Sequence, residues 1–95
     1  MQVPIHGEVV EWRGPAPYYF LPIRGDAAEE VVAVAADLTY GWGVVPVTAT
    51  AGATRWTTSL IPRSGGYLLP LKDAVRAAEG IDVGDLIDVV VELGT

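Results

Sequence analysis

Hydrophobic residues recur along the chain with two different periods, which predict short strands and two helices. Several segments rich in Val, Ile, Thr and aromatic residues alternate with a period of two, as is typical of half-buried strands. In residues 55–61 this period places Trp56 and Leu60 on one face and Arg55 and Ile61 on the other. The predicted strands cover residues 3–13, 18–24, 44–49, 55–61, 67–69 and 86–93.

Glycine and proline modify three of these predictions. Gly7 interrupts the first strand and marks either a bulge or a close backbone approach. Pro22 lacks the backbone N–H that a sheet interior requires, so its strand is predicted to be an edge strand or a bent one. Residues 51–53 form a predicted hairpin turn, with Gly52 free to adopt a positive φ.

The first helix is predicted over residues 26–38. Asp26 is a good N-cap residue, and Glu29 three positions later completes a pair like a capping box. Four apolar residues at helical spacing form one stripe that packing must bury. They are Val31, Val34, Ala35 and Leu38.

The second helix is predicted over residues 70–79. Pro70 suits the first helical position, and Gly80 suits the left-handed C-cap. Its apolar residues are predicted to form a buried stripe and its charged residues to face water. The stripe is Leu71, Ala74, Val75 and Ala78, and the charged face is Lys72, Asp73, Arg76 and Glu79.

These elements follow one another as β-β-α-β-β-β-α-β. Short strands joined by tight turns favour a mostly β (α+β) architecture, in which a small barrel of about six strands is capped by the two helices. A chain of 95 residues has the size of one domain, so residues 1–95 are interpreted as a single domain.

Composition excludes several classes of protein. The chain is 51% hydrophobic, yet no apolar run approaches the ~20 residues that span a bilayer. There is no cysteine, which removes disulfides, thiolate catalysis and cysteine-ligated metals. The first residues show no basic and apolar signal-peptide pattern, so we expect a cytoplasmic protein without a membrane anchor.

The net charge of −6 argues against strong binding to nucleic acid, because an acidic chain repels phosphate backbones. The charge is uneven, however. Residues 43–78 carry four Lys and Arg residues against Asp73 alone, a local balance of +3. Depletion of acids in strands is the ordinary explanation of such a balance, and an anionic ligand is the alternative.

The best candidate for an anion site combines a glycine turn with the start of the second helix. Consecutive glycines let backbone N–H groups converge, and a helix start adds partial positive charge. Basic side chains nearby could add full charges, although an ordinary turn followed by an ordinary helix explains the same residues. The candidate residues are Arg63, Ser64, Gly65, Gly66, Lys72 and Arg76.

Aromatic residues form the second candidate set. Trp12 and Trp56 lie in predicted strands and are expected to pack in the core. Tyr18, Tyr40 and Trp42 lie in or beside loops, so we expect them to be exposed and available to a ligand or another subunit. Tyr40 and Trp42 are therefore added to the candidate ligand-binding residues.

Catalytic and metal-binding patterns are weak. His6 is the single histidine and is interpreted as a half-exposed strand residue, and a spatial partner such as Glu8 or Asp88 is left open. Asp82, Asp85 and Asp88 lack the spacing of a calcium loop, and Asp85 is interpreted as a turn residue that binds local N–H groups. We therefore predict no catalytic residue, no metal and no cofactor.

Several short motifs follow one another along the chain. They are Glu11-Trp12, Leu21-Pro22, Val45-Pro46-Val47, Thr58-Ser59-Leu60-Ile61-Pro62, Gly65-Gly66, Leu69-Pro70-Leu71-Lys72-Asp73-Ala74-Val75-Arg76 and Gly84-Asp85. In these motifs the chain resembles the bacterial DUF1905 family over nearly its whole length. The resemblance implies a double-split β-barrel, related in architecture to the AbrB and MazE DNA-binding domains, and it implies almost no function. In some family members a second domain associated with bacteriocin protection follows, and this chain is expected to lack it.

Three functions remain open from the sequence. The first is a non-enzymatic module that binds a small anionic or apolar ligand or associates with itself. The second is a DNA-binding regulator, by analogy with the AbrB-like barrels, which the negative charge disfavours. The third is a small enzyme with a barrel pocket, for which His6, Glu8 and Arg63 are the candidate groups.

Overall fold

The computed structural model of the chain describes residues 1–12, 18–35, 43–63 and 65–93. These ranges contain seven strands and two helices. The strands are β1 (Gln2–Glu8), β2 (Val10–Trp12), β3 (Tyr18–Ile23), β4 (Val45–Ala51), β5 (Thr54–Arg63), β6 (Gly66–Pro70) and β7 (Leu86–Glu92), and the helices are α1 (Gly25–Ala35) and α2 (Asp73–Glu79). All strand pairs are antiparallel, in the order β1-β7-β4-β5-β6-β3-β2. The mostly β prediction is confirmed.

The first predicted strand is divided at Val9, which raises the strand count above the predicted six. Val9 is fully buried, donates its N–H to the Asp85 carbonyl and accepts the Gly84 N–H, both at 2.9 Å. The chain pairs with β7 before Val9 and with β3 after it. Because the two end strands of the sheet are thus consecutive in the chain, the sheet curls back on itself into a half-barrel.

The core lies inside this curl, where one face of every strand except β2 contributes buried apolar residues. Leu21, Leu60 and Leu69 are fully buried there. Helix α1 covers one end with Val31 and Ala35, which confirms its predicted stripe at these positions. The helix begins one residue earlier than predicted, and the predicted residues 36–38 lie outside the described ranges.

The predicted start of the second helix at Pro70 is wrong. Pro70 is the last residue of β6 and pairs with Phe20, and the Leu71 N–H still donates to the Tyr19 carbonyl at 2.9 Å. The helix begins only at Asp73, with Lys72 in an extended conformation before it. Proline suits both a helix start and a strand end, and pairing with β3 extends the strand here.

The predicted faces of α2 are also partly wrong. Val75 is buried, but Ala74 and Ala78 are exposed. Arg76, expected to face water, is only 20% exposed because its guanidinium lies over the Tyr19 ring. Arg76 is therefore packed against the sheet, whereas the two alanines that were predicted to be buried are exposed. The predicted C-cap is confirmed, since Gly80 has a φ of 63°.

Two predictions made from the positions of glycines agree with the structure. β4 and β5 pair as a hairpin around residues 52–53, and Gly52 has a φ of 58°. Gly7 marks a close approach between β1 and β3, because a Cβ there would lie 3.2 Å from the Leu21 Cδ1 atom. Neither described helix is long and apolar enough to cross a membrane.

Candidate functional site

The outer face of β2, β3, β6 and β5 carries an unusual set of apolar residues. Strand register places directly paired residues on the same face, so Val10 lies with Phe20, and Pro22 with Leu68. This face is opposite to the one that carries core residues. We call it the outer face and define it by Val10, Trp12, Tyr18, Phe20, Pro22, Ile61, Arg63 and Leu68.

Large hydrophobic side chains that remain exposed are concentrated on this outer face. Of nine such side chains in the described ranges, four lie here, namely Val10, Trp12, Tyr18 and Ile61. Trp12 is 45% exposed, so its predicted place in the core is wrong, whereas Trp56 is 7% exposed and confirms the same prediction. Trp12 lies on the same face of the sheet as its pairing partner Tyr18, and Tyr18 is exposed as predicted.

Phe20 forms a buried centre within the outer face. It is 8% exposed, yet it does not belong to the cluster that forms the main core. Its ring lies near Tyr18, with 6.3 Å between the ring centroids. The outer face is therefore a packed second apolar layer around Phe20.

Arg63 and Trp12 meet across this layer. The guanidinium carbon of Arg63 lies 4.0 Å from the centroid of the Trp12 ring, in the geometry of a cation–π contact. Arg63 is on β5 and Trp12 on β2, with β6 and β3 between them. Since neighbouring strands lie ~4.8 Å apart, the pair spans roughly 14 Å of sheet. We call this contact the Arg63–Trp12 bridge.

A groove of about 470 Å³ lies beside the bridge. This volume falls in the ~300–1,000 Å³ range of small-molecule sites. Arg24, at the end of β3, adds a second guanidinium to the lining. The lining residues are Val10, Glu11, Trp12, Phe20, Pro22, Ile23, Arg24, Arg63, Tyr67 and Leu68.

The residues of the predicted anion site divide into two places. Arg63, Gly65 and Gly66 lie at the hairpin between β5 and β6, and only Arg63 lines the groove. Lys72 and Arg76 follow the far end of β6, which is roughly 13 Å away for a strand of five residues. Ser64, Tyr40 and Trp42 lie outside the described residues.

The two adjacent glycines have different structural roles. Gly65 has a φ of 80° and open space around its Cα, so the turn conformation requires it. A Cβ at Gly66 would overlap the carbonyl oxygen of Ile23. Gly66 therefore allows β6 to approach the end of β3 closely.

Arg76 belongs to a second polar cluster, at the end of the sheet beside α2. Its guanidinium carbon lies 3.5 Å from the Tyr19 ring centroid, and its Nη2 donates to the Asp73 carboxylate at 2.7 Å. The Tyr19 hydroxyl donates to the Glu11 carboxylate, and this hydrogen bond and charge raise the pKa of Tyr19 above its usual value. Arg76 opposes the shift, and Asp82 adds slightly to it.

Replacing Tyr19 with phenylalanine is expected to lower stability at about pH 8 and to have less effect at about pH 11. The folded protein holds the Tyr19 proton more tightly than the unfolded chain, in which tyrosine titrates near pH ~10. The stabilisation is thus complete below pH ~10 and is lost as pH rises through the higher folded-state pKa. Urea unfolding at both pH values would measure the difference.

Tyr18→Phe, on the same strand and exposed, is the matched control for removal of a tyrosine hydroxyl, and at about pH 8 it should lower the free energy of unfolding less than Tyr19→Phe does. A Tyr19→Phe effect that stays constant between the two pH values would contradict the role of the Glu11 hydrogen bond.

His6 and Asp88 form the pair that the sequence allowed. The His6 Nδ1 and Asp88 Oδ1 atoms are 2.7 Å apart on β1 and β7, with side chains 64% and 84% exposed. The three candidate groups of an enzyme do not line one pocket of the described residues, because Arg63 lines the groove and His6 and Glu8 do not. In the described part of the chain, no three His, Asp or Glu residues could hold a metal together.

Asp85 has the turn role predicted for it. Its carboxylate accepts the Asp82 N–H at 2.8 Å, and the Asp82 carboxylate accepts the Val83 N–H at the same distance. These bonds hold the turn that leads into β7.

Sequence reasoning missed Trp12, Phe20 and Arg24 as residues of one site. The available signal was the alternation in β2 and β3, which places Val10 and Trp12 on one face and Tyr18 and Phe20 on one face. Two apolar stripes facing away from the core in one hairpin would have indicated an outer surface that needs covering.

Comparison with known proteins gives a family and no activity. No curated protein matches the chain. The family model described as "Domain of unknown function (DUF1905)" matches residues 6–91, a range that includes the groove, the bridge and the Tyr19 cluster. The chain therefore belongs to the DUF1905 family.

Proposed function

We propose that this domain is a non-enzymatic binding module for a small molecule that has an apolar body and an acidic group. The ligand binds in the groove of the outer face, with its acid at Arg63. The observation that carries the proposal is the Arg63–Trp12 bridge, which holds a guanidinium at the edge of an apolar groove of about 470 Å³.

The acidic group is inferred from how Arg63 is held. The Arg63 guanidinium lies over the Trp12 ring and its N–H groups form no hydrogen bond with a described residue, so they are available for a carboxylate or phosphate. Within the described ranges, neither Arg63 nor Arg24 forms an ion pair. In a chain of net charge −6, two arginines on one groove that lack carboxylate partners among the described residues favour an anionic ligand.

The apolar body is inferred from the rest of the lining. Val10, Phe20, Pro22 and Leu68 present hydrocarbon on the same face as the Arg63 side chain. Transfer of a ligand's hydrocarbon onto this surface is favourable by about 25 cal/mol for each Å² removed from water. A purely inorganic anion would gain nothing from these side chains, so we favour an organic acid.

The alternative functions receive less support. A DNA-binding regulator would need a basic surface, whereas the chain is acidic and its two groove arginines share their lining with Glu11. An enzyme would need reactive groups in one place, and His6 and Glu8 do not line the groove that holds Arg63. Self-association through the exposed apolar residues of the outer face remains a variant of the binding proposal.

We also propose that the curled sheet is the double-split barrel implied by the family resemblance. One bent strand pairs with β7 before Val9 and with β3 after it, which supports that description. We propose the bacterial cytoplasm as its location, because a chain without cysteine has no need of an oxidising compartment.

Replacing Arg63 with glutamine is expected to weaken the binding of N-acetyl-phenylalanine by about tenfold, because a hydrogen-bonded charge is lost. Isothermal titration calorimetry with the wild type and the variant would measure this change. N-acetyl-phenylalaninamide, which lacks the acid, should bind both proteins equally weakly. Mixed duplex DNA in low salt should not bind the wild type.

Arg55→Gln is the matched control, since Arg55 is exposed on the same strand and does not line the groove. This variant should bind N-acetyl-phenylalanine as the wild type does. If the acid and its amide bind the wild type with equal affinity, or if Arg55→Gln weakens binding as much as Arg63→Gln, the proposed site is wrong.

A further inference from the structure

A seam separates β1 from β3 where the half-barrel closes. β1 forms its ladder with β7, and the ladder between β2 and β3 extends only from Phe20 back to Tyr18. In the described ranges, residues 21–23 of β3 therefore have a ladder partner on the β6 side and none on the side that faces β1. Among the described residues, the seam thus leaves two strand edges without a ladder partner.

Contact at Gly7 closes only one part of the seam. A Cβ at Gly7 would lie 3.2 Å from Leu21 Cδ1 and 3.5 Å from the Pro22 carbonyl oxygen, so β1 and β3 touch here. Beside this contact is a hollow of about 350 Å³. The hollow is lined by His6, Gly7, Glu8, Val10, Pro22 and Arg24.

The hollow and the groove adjoin each other, and we call the two together the channel. Val10, Pro22 and Arg24 line both of them. The channel therefore runs from the Arg63–Trp12 bridge, past Arg24, to Glu8 on β1. Its length is at most roughly 13 Å, because the four residues from Trp12 back to Glu8 extend by ~3.3 Å each and the chain bends at Val9.

The chemistry of the channel changes along its length. The groove end has the Arg63 guanidinium beside apolar side chains, whereas the seam end has the exposed carboxylate of Glu8 beside His6. Arg24 lines both parts. Glu8 forms no ion pair with another described residue. A ligand that fits the whole channel is acidic and apolar at one end and basic at the other, with hydrogen-bonding groups between.

We propose that the ligand is an extended peptide of about four residues, whose C-terminal carboxylate binds Arg63 and whose basic N-terminal end lies at Glu8. The inference rests on the proposed function and adds the class and length of the ligand. An apolar last side chain lies over Phe20, and the peptide backbone forms hydrogen bonds with open backbone groups of the seam, where Pro22 offers a carbonyl oxygen and no N–H. An acyl chain has the apolar body and the acid but cannot form these main-chain bonds.

Binding of peptides of increasing length tests the inference. N-acetyl-phenylalanine occupies the groove alone, and N-acetyl-Lys-Ala-Ala-Phe with a free C-terminus reaches the seam. We expect the tetrapeptide to bind the wild type at least about tenfold more tightly, because it adds main-chain hydrogen bonds and a charge pair. Decanoate, which has a similar length without peptide groups, should bind no more tightly than N-acetyl-phenylalanine.

The Glu8→Gln variant distinguishes binding at the seam from binding in the groove. It should weaken binding of the tetrapeptide by about threefold, as expected for an exposed ion pair, and leave N-acetyl-phenylalanine unchanged. Glu30→Gln, an exposed substitution on α1 away from both linings, is the matched control and should change neither affinity. Arg63→Gln should weaken both ligands.

The outcomes distinguish the two proposals. If N-acetyl-phenylalanine binds through Arg63 and the tetrapeptide binds no more tightly, the peptide inference is overturned and the proposed function stands. If decanoate binds more tightly than N-acetyl-phenylalanine and the tetrapeptide does not, the ligand is an acyl chain, and the inference is again overturned. If the wild type binds none of these acids, both proposals fail.

Discussion

Replacing Gly66 with alanine is expected to destabilise the domain by about 3 kcal/mol, since the added methyl group has no free space. Its Cβ would overlap the carbonyl oxygen of Ile23, which belongs to the backbone and cannot move as a flexible side chain could. Either β6 or the end of β3 must shift, and both are held in the sheet by the pairs from Phe20 to Ile23. Urea unfolding followed by tryptophan fluorescence would measure the loss.

Gly65→Ala is the matched control for this prediction. The neighbouring position has a φ of 80°, and an added methyl group would have no atom within 4 Å, so the substitution adds backbone strain without a clash. We expect a cost of about 1 kcal/mol. Equal destabilisation by the two variants would show that the close approach of β6 to β3 is not the reason for glycine at position 66.

Phe20→Ala is expected to destabilise the domain by about 3 kcal/mol as well, through loss of a buried ring. The ring is 8% exposed and lies outside the main core cluster, so the experiment measures the stability of the outer layer itself. Thermal or urea unfolding gives the change. Tyr18→Ala, on the same strand and face but 59% exposed, should cost less than about 1 kcal/mol.

The Phe20→Leu variant tests whether the Phe20 ring also contributes to ligand binding. Leucine fills most of the volume and should keep the fold at a cost of about 1 kcal/mol, while N-acetyl-phenylalanine loses a ring contact and binds several times more weakly. If Phe20→Ala is as stable as Tyr18→Ala, then Phe20 is not the packed centre of the outer face, and the floor of the proposed site is wrong.

The local architecture was largely predictable because its determinants are local. The period of two placed Trp56 and Leu60 on the buried face of β5, and the structure has both of them there. Gly80 and Gly52 were assigned to a helix end and a hairpin from the left-handed conformation that glycine tolerates, and both have a positive φ. Such features depend on a residue and its immediate neighbours.

The errors concerned features that only the assembled sheet decides. Pro70 satisfies the local rule for a helix start, yet pairing with Phe20, far earlier in the chain, makes it the end of a strand. Trp12 satisfies the rule that strand aromatics pack in the core, yet its pairing with Tyr18 turns it outward. A period identifies two faces of a strand but does not identify which one the rest of the chain will cover.

The candidate site was the least predictable feature for the same reason. Arg63 was identified from its charge beside a glycine turn, but its contact with Trp12 depends on the order of four strands in the sheet. Arg24 had no signal of its own, because a basic residue before a helix is usual on a protein surface. Only the folded sheet brings these side chains to one groove.

The pairing of β7 between β1 and β4 constrains when the domain can fold during its synthesis. β7 is the last strand in the described part of the chain and pairs with the first, so that His6 lies opposite Asp88. A growing chain that ends before residue 86 would leave β1 and β4 with open edges and no strand between them. Nearly the whole domain must therefore leave the ribosome before the sheet can close, and until then the exposed edges are available to chaperones or to other nascent chains.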